Sequence, residues 1–332
     1  MFVLPVGSRS ELAKVDFRLA YRSTMPATEK IMDTGPNHIN VCICTFRRPR
    51  LLQRLLHEVV KQETNGLFTY SVVVADNDGS RSAESVVSEI AATSVIPIVY
   101  CVEPRQNISL TRNRAIANAT GNFIAFIDDD EFPAERWLLN LFEAYRKYGA
   151  DGVLGPVKCH FDEKPPRWVI KGKFYERPTY PTGFVIDWTK GRTGNVLLRR
   201  QILEDEEAAF SPEFHRAGDQ DFFRRMIAKG HVFIWCNEAV AYEVVPPIRW
   251  TRTFMLKRAL LRGTIRMQHP TSRGRKIAKA LIAVPAYTLA LPFSLALGHD
   301  KFMKLLIRLC DHSASLLTFV GMKPVRSQLI TD

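Results

Sequence analysis

Regular patterning of apolar and polar positions begins at residue 39. Residues 39–45 form a short apolar, β-rich run. Residues 49–62 then place Leu51, Leu52, Leu55, Leu56, Val59 and Val60 on one helical stripe, with Pro49 suited to a first turn. A second strand at 70–75 ends in Asp76-Asn77-Asp78-Gly79, and a helix near 82–92 and a strand at 98–102 follow. The spacing predicts a helix over 109–119 capped by Ser109. It also predicts a fourth strand over 122–127, running into Asp128-Asp129-Asp130-Glu131, and an amphipathic helix over 134–148 closed by Gly149. This alternation predicts an α/β fold with a doubly wound, mostly parallel sheet. The second half is less regular: strands are expected at 153–159, 183–187, 194–199, 231–235 and 239–244, and a helix at 219–229. A basic helix over 250–268, an uncharged stretch over 280–298 and an amphipathic stretch over 302–320 close the chain. Residues 1–37 show no clear period. They read as a loosely held leader, or as sequence ahead of a later start such as Met25 or Met32. The apolar residues 1–7 are too short a run, and lack the basic flank, for a signal peptide.

The 332 residues suffice for one large α/β domain with an appendage, or for two modest domains. Hydrophobic residues at 46% and charged residues at 24% mark a folded chain and exclude a disordered one. Charge changes the picture more. Residues 246–310 hold thirteen Lys or Arg against one acid, Asp300, and so carry the whole net excess of +12. Such a block favours a polyanionic partner, either anionic lipid or nucleic acid. The six cysteines lack a CxxC pair and zinc-type spacing, which points to a reduced, cytosolic setting.

Open parallel sheets bind ligands at the carboxyl ends of their strands, and three carboxylate clusters fall there. At Asp76-Asn77-Asp78 a carboxylate can accept from a base NH or a ribose hydroxyl. The plainer reading is a turn, because Asp and Asn bond their own backbone and Gly79 follows. At 128–131 four consecutive acids repel one another unless a cation is present. Hard divalent ions take such oxygens together with a substrate phosphate; the plainer reading is an acidic helix start ahead of Ala134. Asp219-Gln220-Asp221 opens a helix, where Asp219 is either an N-cap or a general base. Arg112 offers a guanidinium fork to phosphate oxygens, or else lies on a solvated helix face.

In order, the runs VCICTFRRP (41–49), VVADNDG (73–79), NISLTRN (107–113), GNFIAFIDDD (121–130), Gly194-Asn195 and GDQDF (218–222) resemble the family 2 nucleotide-sugar-dependent glycosyltransferases, which have the GT-A fold. The resemblance runs over residues 39–263. LGPV (154–157), PRW (166–168), RTG (192–194) and LRR (198–200) bring it nearest to bacterial exopolysaccharide glucosyltransferases of the succinoglycan type. It implies a GT-A catalytic domain over 38–248, and the charge and hydropathy of 249–332 add a basic, apolar, membrane-associating helical region. It implies Thr45 and Phe46 beside the nucleobase, Asp76 or Asp78 on the uridine, and Arg112 at the diphosphate. Asp128, Asp129 and Asp130 form the acidic motif, with Asp128 and Asp130 holding Mn2+ or Mg2+. Gly194 and Asn195 line the sugar pocket, and Asp219 is the catalytic base. Two positions depart from the family pattern: Gly218 stands where Glu usually precedes the base, and Tyr242 where His is often found. The implied activity is an inverting transfer of sugar from a nucleotide-diphospho-sugar, UDP-linked, to a hydroxyl of a lipid-linked saccharide acceptor. Its setting is cell-surface or exopolysaccharide synthesis.

Residues 280–298 are long enough to span a bilayer, which takes roughly 20 apolar residues. Pro285 and Pro292 instead favour a broken hairpin, buried or lying in the interface, and Arg273, Arg275, Lys276 and Lys279 ahead of it fit a cytoplasmic flank. The expectation is peripheral or monotopic attachment to the cytoplasmic face of an inner membrane, with a single span as the second reading. Nucleic acid is not expected as a partner, because basic and aromatic residues do not interleave around the acids. A catalytically impaired sugar-binding or scaffold protein of the same fold is the other alternative, kept open by Gly218 and Tyr242.

Overall fold

The structure, a computed structural model, describes residues 36–204, 208–213, 218–268, 273–322 and 324–325. The expected leader over 1–37 lies outside the described residues apart from Pro36 and Asn37. Strands β1 (His38–Thr45), β2 (Thr69–Asp76), β3 (Ile98–Val102) and β4 (Phe123–Asp128) are parallel neighbours in the order β3-β2-β1-β4. β1 and β2 are buried on both faces, which is why they read as near-continuous β-branched and apolar runs rather than as alternation. The sheet continues through β8 (Asn195–Arg199), β6 (Gly152–Leu154) and β9 (Phe233–Trp235) to seven strands. β8 runs antiparallel to both of its neighbours.

Helices cover the sheet as the pattern predicts. α1 (Pro49–Val59) buries Leu52, Leu55, Leu56 and Val59, one stripe at helical spacing, with Pro at its start. Each such burial contributes about 1.5–3 kcal/mol. α2 (Glu84–Thr93) follows β2. α3 (Ile108–Ala117) is capped by Asn107 rather than Ser109: the Asn107 side chain accepts from the amides of Ser109 and Leu110. α4 (Trp137–Tyr148) stops at Gly149, whose φ of 62° is left-handed.

The structure departs from the expected pattern in several places. The acids at 128–131 do not open a helix. They span the turn from β4 into β5 (Glu131–Pro133), and α4 begins later, with no acid in its first turn. The strand expected over 153–159 is two strands, β6 in the large sheet and β7 (Val157–His160) in another. Between them a Cβ on Gly155 would lie 2.1 Å from the Ala239 carbonyl oxygen, so the chain changes sheets where only glycine fits. β5, β7 and β10 (Ala241–Val244) make this second, three-stranded sheet in the order β5-β10-β7. The expected strand at 183–187 contributes only an isolated bridge, Val185 to Ile234.

Short helices α5 (Arg167–Lys171) and α6 (Gln201–Glu204) precede α7 (Gly218–Ala228). Then come α8 (Arg252–Gln268), α9 (Arg273–Ala296) and α10 (His299–Phe319). α10 packs on α8, where a Cβ on Gly263 would meet the Asp311 carbonyl at 2.2 Å and Arg266 pairs with Asp311 at 2.8 Å. Instead of a broken hairpin, α9 is one continuous helix of 24 residues through Pro285 and Pro292. Among its described residues only Ala280 and Ser294 are buried, while Ile282, Leu289 and Phe293 are each more than 70% exposed.

Candidate active site

Strand register builds the site. Thr45 pairs with Asp76 across β1 and β2, and Cys44 pairs with Asp128 across β1 and β4. β8 enters antiparallel with Asn195 opposite Ile127, which sets Gly194 beside the end of β4. A Cβ on Gly194 would lie 2.8 Å from Asp128 Oδ2 and 3.0 Å from Glu131 Oε1, so any larger residue would press on two carboxylates.

At the end of β2 the acids are consumed by their own turn. The fully buried Asp76 accepts from the amides of Asp78 and Ala83 and from the Tyr100 hydroxyl, at 2.9–3.0 Å. Asn77 donates to the carbonyls of Glu103 and Arg105 and accepts from the Asn107 amide, tying β2 to the loop after β3. Asp78 accepts from Arg47 at 2.9 Å and from Ser80, and the Arg47 guanidinium holds its carboxyl below the usual range. Thr45 donates to Asp129, and Phe46 is half-buried with the Arg47 guanidinium 5.1 Å from its ring centre.

At the end of β4 the acids meet arginines that motif reading passed over. Arg48 donates to Asp129 at 2.8 Å and lies 3.6 Å from Asp130. Arg249 bridges Asp130 and Glu243, at 2.9 Å to each. Arg177 pairs with Glu243 and sits 3.9 Å from Glu131. Four crowded acids therefore do not by themselves require a metal ion, because protein cations supply part of the counter-charge. The compensation is incomplete. Burial pushes Asp128 up to about 7 against the pull of Arg112, with Asp130 and Asp219 adding to the rise. Burial likewise lifts Asp129 to about 6, and raises Glu131. Glu131 Oε2 is buried without a hydrogen-bond partner.

Asp128 opens into a pocket of about 340 Å³ that also takes in Gly194, Asn195, Asp219, Arg177, Lys190, Arg192 and Tyr180. Asp219, in the first turn of α7, accepts from Arg112 at 2.6 Å and from the Thr193 amide and hydroxyl at 3.2 and 2.9 Å. Burial works to raise its carboxyl, but Arg112 and Thr193 outweigh it and the group is held low, hence ionised. Arg112 is therefore no solvated-face residue: it is buried, paired with Asp219 and 5.3 Å from the Phe210 ring. Asn195 borders the pocket, but its amide is spent within the fold, on Trp137, Pro156 and Ala239. Tyr242 stacks on Phe132 in the second sheet, and a Cβ on Gly218 would lie 2.9 Å from Ser109 Oγ. Arg177 gave no signal in the chain. Thr193, in RTG (192–194), and Arg48, in VCICTFRRP (41–49), lie in runs that carry the family resemblance, without a role of their own.

No group of three or more His, Cys, Asp or Glu among the described residues forms a ready-made metal cage. The residues still fit a hard divalent ion, which usually joins one or two carboxylates to substrate phosphates. The raised Asp128 and the orphaned Glu131 oxygen are hard oxygen donors whose ionisation burial opposes and a divalent cation would favour.

The parallel-dominated sheet, with β8 antiparallel inside it and acids at its carboxyl edge, has the GT-A fold of glycosyltransferases, as its fold neighbours show. The glycosyl transferase family 2 model matches residues 40–206, and the chain belongs to that family. It is 36% identical over 233 residues to the succinoglycan biosynthesis protein ExoM of Rhizobium meliloti, covering 68% of this chain and 73% of that protein. In fold it is similar to the mannosyltransferase PcManGT of Pyrobaculum calidifontis, solved in complex with GDP-Man and Mn2+. The TM-score there is 0.55 at 17% identity, covering 93% of this chain and 95% of that one. It is also similar to S. aureus TarS, with a TM-score of 0.51 at 16% identity over 84% of this chain and 54% of TarS.

Proposed function

We propose that this glycosyltransferase moves a sugar, with inversion, from a UDP-linked donor to a hydroxyl of a lipid-linked saccharide in exopolysaccharide synthesis. Residues 38–248 act as the catalytic domain and 249–332 as a membrane-associating region on the cytoplasmic face. The observation that carries this reading is the meeting of Asp128, Gly194 and Asp219 around one pocket at the carboxyl edge of the sheet, with the buried Arg112 paired to Asp219. The 36% identity to a succinoglycan biosynthesis protein supports the pathway class, and the GDP-Man and Mn2+ of one fold neighbour agree with a nucleotide-sugar and a divalent ion.

Thr45, Phe46 and Asp78 receive the nucleoside. Asp78 suits this better than Asp76, because its clasp Arg47 is half-exposed and can exchange partners, whereas Asp76 is sealed by three internal donors. Asp128 and Asp130 would hold Mn2+ or Mg2+, which when bound supplies Lewis-acid neutralisation of the diphosphate. Arg112 binds phosphate oxygens, and in doing so relaxes its hold on Asp219. Asp219, ionised and kept oriented by Thr193, takes the proton of the acceptor hydroxyl. The acceptor oxygen forms its bond to the anomeric carbon from the opposite face. The bond to the diphosphate oxygen breaks, and its electron pair leaves with the nucleoside diphosphate. One displacement with one base inverts the configuration. Gly194 leaves room for the sugar, and Asn195 braces the strands behind it. A screen of nucleotide-sugars with Mn2+ or Mg2+, scored by nucleoside diphosphate release, tests the proposal. Folded protein that releases none from any common donor would overturn it.

A further inference from the structure

A second cavity, about 690 Å³, lies away from the catalytic pocket, between α5 with its approach and the Gly298 turn from α9 into α10. Its walls are held by packing. Val169 of α5 is buried in one apolar cluster with Met303, Trp250 and Met255, and Phe302 packs against that cluster. The Trp168 and His299 rings are 4.8 Å apart. The lining is largely apolar, yet the rim is cationic: Lys164, Arg167 and Lys171 are all exposed. Lys164 and Arg167 form no ion pair among the described residues, while Lys171 lies 3.6 Å from Asp300. Asp300, the one acid in the wall, is 2% exposed and so lies beneath the surface that a ligand meets. Exposed apolar side chains stand in the elements that border the cleft: Ile170 in its lining, and Leu297, Leu295 and Phe293 just before the Gly298 turn, each at least half exposed.

We infer that this cleft seats the phosphate and glycerol-acyl boundary of an anionic phospholipid in a bilayer, so that α5 and α9 rest on one membrane surface. The cationic rim answers the phosphate, and Trp168 suits the headgroup level. The exposed apolar side chains are what a soluble sugar phosphate or a nucleic acid would leave unexplained. The inference rests on the membrane-associated reading of α9 and adds to it a contact from the catalytic half of the chain. One membrane contact leaves the pocket free to swivel, whereas two hold it at a set orientation to a lipid-linked acceptor.

The test is flotation of the full chain with phosphatidylcholine vesicles and with vesicles containing one-quarter phosphatidylglycerol. Each basic side chain near an anionic surface is worth about 1 kcal/mol, roughly fivefold in partition. The wild type should prefer the anionic vesicles by at least ~10-fold. The triple variant Lys164→Gln/Arg167→Gln/Lys171→Gln should lose most of that preference while its residual binding to neutral vesicles, melting temperature and donor hydrolysis stay unchanged. A control that removes equal charge outside the cleft, Lys61→Gln/Arg146→Gln/Lys147→Gln, should keep the preference. Phe293→Asp should weaken binding to both vesicles. If the triple variant binds anionic vesicles as the wild type does, or the control loses as much, the cleft is not the site although α9 still anchors the chain. If the wild type floats with neither vesicle, the membrane reading itself fails, and this inference with it.

Discussion

Two strand ends carry nearly the same letters and do different things. Asp76-Asn77-Asp78 closes β2, and Asp128-Asp129-Asp130 closes β4 one strand over from β1. At β2 backbone amides and a tyrosine seal Asp76 into a turn, while Asp78 is held by Ser80 and by the half-exposed Arg47, the clasp that the proposed nucleoside contact exchanges. At β4 burial, and after it the crowding of the acids under partial cover from arginines, leaves Asp128 and Glu131 with raised proton affinity. An acid whose lone pairs are filled locally is architecture, and an acid whose charge is unmet is available to a ligand.

The comparison breaks most visibly at β4. Asp130→Ala, and equally Asp128→Asn, should lower kcat/KM by roughly 10³-fold or more, because metal-assisted charge neutralisation is worth several kcal/mol. The Asp128→Asn protein should melt no lower than the wild type, since it removes a charge that burial opposes. Steady-state rates beside a thermal melt check both, and wild-type rates in Asp130→Ala with chelator present would remove the metal role. Next comes the base: Asp219→Asn should cost ~10²-fold in kcat with donor affinity nearly kept, as general-base catalysis is typically worth that much. An unchanged kcat would move the base elsewhere.

At β2 the effect should appear in stability instead. Asn77→Ala strands the carbonyls of Glu103 and Arg105 and the Asn107 amide, and should cost about 2–4 kcal/mol in denaturant unfolding with kcat little altered. A large loss of kcat in folded Asn77→Ala would erase the distinction between the two ends. The smallest effect is in pH. Asp128 titrates near 7 and carries a proton below that value, which opposes a divalent ion. At limiting Mn2+, kcat/KM should fall below about pH 7, and once Mn2+ exceeds its Kd each further tenfold should move the fall down by about one unit. Asp219, held below its ordinary range, adds no acid limb there. A limb that ignores the Mn2+ concentration would assign it to another group.

Much of the fold was legible because each signal was local. The apolar runs of β1, β2 and β4, the stripe of α1 and the stop at Gly149 depend on residues within one or two turns. The second sheet was not legible. β5 and β7 are three and four residues long, and they exist only because β10, some 80 to 110 positions later, lies between them. Prolines 285 and 292 mark a break in any local reading. The helix nevertheless runs through both, and both prolines lie exposed.

The sequence by itself determined which residues would stand at the strand ends, since hydrophobic periodicity and turn chemistry fix where each β-run stops. It also carried the family, through ordered motifs from 41 to 222. Tertiary structure alone decided what those residues mean. Whether a carboxylate is satisfied depends on donors such as Arg249, Arg177 and Thr193, brought in from far along the chain. Charge interactions act through space and through the local dielectric, and a linear pattern records neither.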